Sequence, residues 1–457
     1  MTITEHKTKG VKTILGDPRI AVRKMSVPLI ISMLLVSIYN LADAAWVAGL
    51  GSDALAGVGF VTPLFLILVG LGNGLGAGAT SSIAKYIGQQ KKEKADNGGL
   101  HVIILTIIIS LIVTALLLLI LNPILNMMGA GSTTSYALDY GYLMFGGTIL
   151  FVLPNAMYGI LRAEGDVNRT MHAMAISGIL NIIIDPIFIY VLGLGVKGAA
   201  LATLISSGLV IIIIAYWFYI KQDTYIKPTI ANYHFSREIT YDILKVGIPA
   251  SLELLMTAIL TAVLSTILTT VASTDAVAVY TTGWRVVSLG TMPIIGISTA
   301  LVSIVGANYG AKQYENIKLA HHYSMKLAFA IAILTGVLIY IFAPQIVLLF
   351  SYSTNSAHLA DSLVGFLRVM TFYYLFMAFG APSTFLFQGV GKGLTAMFQT
   401  IQRTVIFSII CSYIFAIPMG MGEHGVWYGI VVGQAIATII TFIWSKEYVK
   451  RLIKSGT

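Results

Sequence analysis

A single cysteine, Cys411, stands in 457 residues, which excludes a disulfide framework and any cysteine-based metal cluster. Charge is scarce as well. Only 10% of residues are Asp, Glu, Lys or Arg against 57% hydrophobic, and mean hydropathy is +0.86, so a soluble globular domain is excluded. The sequence lacks a zinc-helix motif, a nucleophile elbow, a serine–histidine or paired-aspartate protease signature and a nucleotide-binding domain, which argues against an enzyme and against a primary pump. Gly70, Gly72, Gly74, Gly76 and Gly78 lie in an apolar run with no strand before it, and so read as close helix packing rather than a dinucleotide loop. The first apolar run is full length and follows a basic arm, so no cleavable signal is expected.

What is present is length. Apolar runs of about 20 residues, enough to cross a bilayer, fall near 25–50, 54–86, 98–121, 134–161, 170–192 and 198–220. A second set falls near 243–271, 276–308, 320–343, 356–388, 396–419 and 425–445. The net charge of +9 reads as topology and not as affinity for nucleic acid. With the N-terminus inside, the inner segments collect Lys7 to Lys24, Lys85 to Lys94, Arg162, Arg169, Lys221 to Lys245, Lys312 to Lys326, Lys392, Arg403 and Lys446 to Lys454, and the outer loops only Lys197. The positive-inside rule then predicts a multi-pass protein of the cell membrane with both termini cytoplasmic.

The chain also repeats itself. Lys24-Met-Ser-Val-Pro28 returns as Lys245-Val-Gly-Ile-Pro249, Leu161-Arg-Ala-Glu-Gly165 as Phe387-Gln-Gly-Val-Gly391, and Gly195-Val-Lys-Gly198 as Gly422-Glu-His-Gly425. Six spans is an even number, so the repeat is parallel, with a pseudo-twofold axis along the membrane normal. The prediction is an all-α membrane protein: twelve transmembrane helices in two six-helix bundles, an N-lobe over 1–220 and a C-lobe over 243–457, joined by a cytoplasmic linker over 221–242. A monomer is expected.

The first span carries an acid, Asp43, which costs on the order of 3 kcal/mol in a bilayer unless it faces a cavity or a partner. Tyr39, Asn40 and Trp46 lie three or four residues away on the same helical face. Helical rise puts Asp43 about 28 Å and Asp185 about 24 Å from the inner surface, with Thr203 and Tyr140 at the same level. Asn181 sits one turn before Asp185, and Pro186 frees the carbonyl of Ile182. Two carboxylates, an amide, a hydroxyl and loosened carbonyls suit Na⁺ or a proton. Pro28 and Pro186 are candidate hinges. In the second half, Leu264 and Cys411 stand where Asp43 and Asp185 stand in the first, and Glu253 is expected to pair with Arg285 in the adjacent span as a structural contact. Met33 and Met174 are flexible thioethers suited to varied substrates in a wide cavity.

Tyr39-Asn-Leu-Ala-Asp43 with Trp46, Leu161-Arg-Ala-Glu-Gly-Asp166 with Asn168, and Asn181-Ile-Ile-Ile-Asp-Pro-Ile-Phe-Ile-Tyr190 closely resemble the multidrug and toxic compound extrusion (MATE) family, most of all its archaeal DinF-like branch. The resemblance covers the whole chain. It implies a secondary antiporter, without a cofactor, that exports bulky, often cationic amphiphiles in exchange for Na⁺ or H⁺ at Asp43, Asn181, Asp185 and Thr203. Tyr140 and Asn155 match polar positions of that branch and join Tyr39, Asn40, Met33 and Met174 as expected substrate contacts. The partners implied are small drug-like molecules and membrane lipids. The competing function is a lipid-linked oligosaccharide flippase of the same superfamily; basic residues lining the cavity would favour it, and few are expected there.

Overall fold

In lipid every backbone polar group needs an internal partner, which long apolar segments find only as helices. A computed structural model of the chain describes residues 8–348 and 357–456, and these form helices and their connections, with no strand among them. A short α1 (Lys9–Ile14) precedes α2 (Pro18–Ala48), α3 (Ser52–Gly88), α4 (Lys92–Met127), α5 (Thr134–Gly146), α6 (Thr148–Ala163), α7 (Val167–Pro186) and α8 (Val196–Ala215). The second half holds α9 (Arg237–Val271), α10 (Thr274–Gly310), α11 (Tyr314–Leu348), α12 (Ala360–Gly389), α13 (Gly393–Ile401), α14 (Ser408–Ala416) and α15 (Gly422–Gly456). α5 with α6 forms one crossing and α13 with α14 another, so twelve spans stand where the hydropathy places them. Lys7 and the first residue of the expected tenth span, Ser356, lie outside the described residues.

Local chemistry explains the irregularities. The α5–α6 crossing bends by 48° at Gly146-Gly147, the kind of pair at which helices break. The Phe145 carbonyl near the break accepts from Thr148 Oγ1 at 2.7 Å and from Thr114 Oγ1 at 3.1 Å. Pro186 lacks an N–H, and the helix beyond it loosens into a π-helical turn over Ile187–Val191. Pro28 behaves differently: α2 runs through it as one uninterrupted helix, and Ser32 Oγ donates to the Pro28 carbonyl at 2.7 Å. Packing against α7 and against α10 supports it on two sides.

The two halves share backbone detail. Gln90 and Lys312 are left-handed at φ 58° and 57°, Gly165 and Gly391 at 79° and 80°, and Gly195 and Gly422 at 56° and 59°, each pair at corresponding turns of the repeat. Between the halves, α3 packs along α9 and α10, and α2 along α10. At the end rich in lysine, Lys85 Nζ and Tyr86 OH both reach Asp242 Oδ2 at 2.8 Å, Ser81 Oγ donates to the Gln388 carbonyl at 2.6 Å, and Asn308 Nδ2 donates to the Ile14 carbonyl at 3.0 Å. These contacts close the basic end.

The connection between α8 and α9 is strapped to the first half. Glu164, just past α6, accepts from the Ile226 N–H at 2.7 Å, Asp96 accepts from the Lys227 N–H at 2.8 Å, Asn97 Nδ2 donates to the His234 carbonyl at 2.9 Å, and Arg169 pairs with Asp223 at 2.6 Å. Glu164 is 1% exposed. Burial pushes its carboxyl up from 4.5 to about 8, against the pull of the Ile226 N–H. The folded state therefore holds this proton more tightly than the unfolded chain, and its contribution to stability is full below pH 4.5 and lost as pH rises through about 8. Thermal unfolding in detergent is expected at a lower temperature near pH 9 than near pH 6. Glu164→Gln keeps an acceptor that cannot ionise and should flatten that slope; an unchanged slope would show that another group carries it.

Candidate functional site

Two sites emerge, one inside the first half and one between the halves. The first is built by α2, α5, α7 and α8. Asn181 Nδ2 on α7 lies 3.4 Å from Asp185 Oδ1 and 3.4 Å from Thr203 Oγ1 on α8. Asp185 is 0% exposed, held inward on the last turn before Pro186. The charge of Asp43 on α2 acts on Asp185, and the buried Tyr140 hydroxyl on α5 feels both carboxylates. Asp43 Oδ1, Asn181 Oδ1 and Asp185 Oδ2 are buried without a hydrogen-bond partner. An unsatisfied buried polar atom costs about 1–3 kcal/mol, so the adjoining Asn181 and Asp185 oxygens, with the Asp43 oxygen on α2 packed along α7, form a candidate site that gains from a cation or a proton. Among the described residues no three His, Cys, Asp or Glu side chains cluster. A metal held here would rest on two carboxylates with amide and hydroxyl oxygens, a donor set for a hard cation such as Na⁺ and not for zinc.

Tyr39 caps this site, its ring packed where a side chain on Gly178 would stand. Tyr190 OH donates to the Trp46 carbonyl, and the two rings meet edge to face at 6.3 Å, which ties the outer end of α2 to the turn after Pro186.

The second site is a cavity of about 340 Å³ between the halves. Met33 lines it, whereas the other five expected substrate contacts do not. Tyr39 and Tyr140 belong to the acid site. Asn155 donates to the Phe151 carbonyl at 3.0 Å and packs against Gly72, Met174 packs against the core, and Asn40 is exposed beside Tyr39. The residues that face the cavity include Trp284 and Tyr373, whose rings meet at 5.5 Å, and the polar groups Arg162, Glu253, Gln388 and Arg403.

The expected Glu253–Arg285 pair does not form. Glu253 Oε1 instead accepts from Gln388 Nε2 at 2.9 Å, and the cation whose charge acts on it is Arg403. Counted from the α9–α10 hairpin, Glu253 lies 18 residues before Val271 and Arg285 lies 11 residues after Thr274, so helical rise separates the two by about 10 Å in depth, and α9 turns Glu253 toward Gln388 on α12. Arg162 and Arg403, counted from sequence among the inner-surface charges, likewise turn into the cavity from the last turn of α6 and from the π-helical turn after α13. The repeat carried a signal for the first of them, because Arg162 and its counterpart Gln388 both face the cavity.

Comparison with known proteins follows this architecture. The MatE family model matches residues 28–187 and 249–414. Over 98% of this chain and 100% of its own length, the structure of a multidrug resistance MATE family transporter in its outward-facing conformation aligns at 40% identity with a TM-score of 0.96. Multidrug export protein MepA of Staphylococcus saprophyticus is 26% identical, covering 92% of this chain and 91% of its own. An FAD transporter of Shewanella oneidensis is 28% identical over 72% of this chain and 73% of its own.

Proposed function

The chain belongs to the multidrug and toxic compound extrusion family, and from that premise we propose that it is a secondary multidrug efflux antiporter of the cell membrane, in which Na⁺ or H⁺ bound at Asp43, Asn181, Asp185 and Thr203 drives export from the central cavity. The carrying observation is the set of three unpartnered oxygens on Asp43, Asn181 and Asp185 inside the first half, beside a separate cavity that spans both halves. An antiporter needs both: a site for the driving ion and a site for the cargo, linked through a change of state that each ligand favours differently.

The lobes 1–220 and 243–457 are the moving bodies and 221–242 the strap between them, cytoplasmic like both termini by the distribution of lysine and arginine. The contacts among Lys85, Tyr86, Asp242 and Ser81 then seal the cytoplasmic end, which is the outward-facing arrangement. One chain holds both sites, so a monomer in lipid is sufficient. Proteoliposomes with imposed Na⁺ and H⁺ gradients, applied separately, test the reading: one gradient should accelerate drug export, and acceleration by neither overturns it.

Arg162 and Arg403 favour a second reading, the lipid-linked oligosaccharide flippase, because such a substrate carries a phosphate-bearing headgroup. Translocation of a labelled lipid of that class in the same vesicles, with no gradient imposed, would select it.

A further inference from the structure

We infer that the central cavity is a binding site for an anionic group carried on an aromatic or otherwise apolar body, with Arg162 as its principal charge partner. The inference rests on the transport reading and names the chemical class of the cargo.

Of the two arginines in the cavity, Arg403 is partly compensated, because Glu253 lines the same space and feels its charge. Arg162 has no carboxylate within ion-pairing distance among the described residues. Its Nε is buried without a partner, as is Nη1 of Arg403. A buried guanidinium nitrogen without a partner is costly and points to a ligand or a counterion as its reason for being there. The slot for it is built into the fold: Gly76 on α3 leaves the space in which a Cβ would stand 2.8 Å from Arg162 Nη2. With two cations against one acid, the lining carries an excess positive charge, which repels a cationic drug and attracts a phosphate, sulfonate or carboxylate. Guanidinium groups match such oxyanions with paired donors. Trp284 and Tyr373 supply flat apolar surface for the body of the ligand. Arg162 comes from the first half and Arg403 from the second, so a bound anion bridges the two moving bodies.

The test compares two probes with one ring system and opposite charge, pyrene-1-sulfonate and pyrenemethylammonium, binding to the full chain in nanodiscs of zwitterionic lipid with no gradient. The sulfonate should bind at least about tenfold more tightly than the ammonium, a difference of about 1.4 kcal/mol. Arg162→Gln should erase that preference and Glu253→Gln should enlarge it, and Arg403→Gln, in the other half, gives a second loss variant should Arg162→Gln fold poorly by thermal melt. An ammonium probe that binds as tightly as the sulfonate, or a preference untouched by both arginine variants, overturns the inference. Nanodiscs containing phosphatidylglycerol locate the source of the anion: displacement of the sulfonate in an Arg162-dependent way assigns the site to a lipid headgroup, and undisturbed sulfonate binding assigns it to a soluble anion. Because no gradient is present, this outcome is independent of whether Na⁺ or H⁺ drives export.

Discussion

Asp43→Asn and Asp185→Asn should each reduce gradient-driven export at least about tenfold while leaving a folded protein, the equivalent of about 1.4 kcal/mol in the coupling between ion and cargo. Each substitution keeps the shape of the side chain and one acceptor oxygen but removes the charge. In the native site Asp185 is fully buried and under the influence of Asp43, and an oxygen of each lacks a partner. In the proposed coupling, ionisation of both carboxylates opposes the packing of α2 on α7, and a proton or Na⁺ relieves that repulsion. An ion that bound both global states equally would shift nothing, so this coupling requires the site to be tighter in one state, with a closer approach of α2 to α7 as the motion that makes it so. Asp43→Asn then imitates the loaded condition permanently, with weak cargo binding and little export. Cargo affinity, counterflow and melting temperature measured on each variant decide the matter, and wild-type export in either one ends this account of coupling.

The twelve spans were legible because a bilayer demands length, and length of apolar sequence survives without knowledge of the fold. The parallel repeat was legible through punctuation residues: Gly165 and Gly391 are left-handed at nearly one angle, a conformation that favours glycine. Asn181, Asp185 and Thr203 could be brought together from depth and helical spacing alone because α7 and α8 are sequence neighbours joined by a short turn. The Glu253–Arg285 pairing failed because depth counted from approximate span ends was off: measured from the α9–α10 hairpin the two differ by about 10 Å, and Glu253 faces Gln388 on α12, a span distant in sequence. Arg162 and Arg403 were assigned to the inner surface because a count of basic residues does not say which way a long side chain at a span's end will turn. The bend at Gly146-Gly147 had its signal in the glycine pair itself.

The seal at the basic end rests on backbone approach, and this gives the second large expectation. Along α3 a Cβ added to Gly74 would overlap Gly247 and Ser251 of α9, one added to Gly78 would overlap the Ile243 carbonyl, and one added to Gly88 would overlap the Ala307 carbonyl of α10; from the other side a Cβ on Gly310 would overlap the Lys85 carbonyl. Carbonyl oxygens occupy the places of side chains, so the clash cannot be relieved by a rotamer change. Overpacking of this kind costs about 1–3 kcal/mol. Under the alternating access proposed above, that cost falls on the sealed state alone, because separation of the lobes parts α3 from α10. Gly88→Val should therefore shift the population toward an open basic end by at least about tenfold. Ser81, 2% exposed and bonded to the Gln388 carbonyl, reports on it: in a Cys411→Ser background, Ser81→Cys should react with an impermeant maleimide from the basic side at least about tenfold faster when Gly88→Val is added. Gly59→Val, at a position with nothing within 4 Å, should leave the rate alone. A folded Gly88→Val protein with unchanged labelling and full export would mean that the α3–α10 crossing is scaffold and that the gate lies elsewhere.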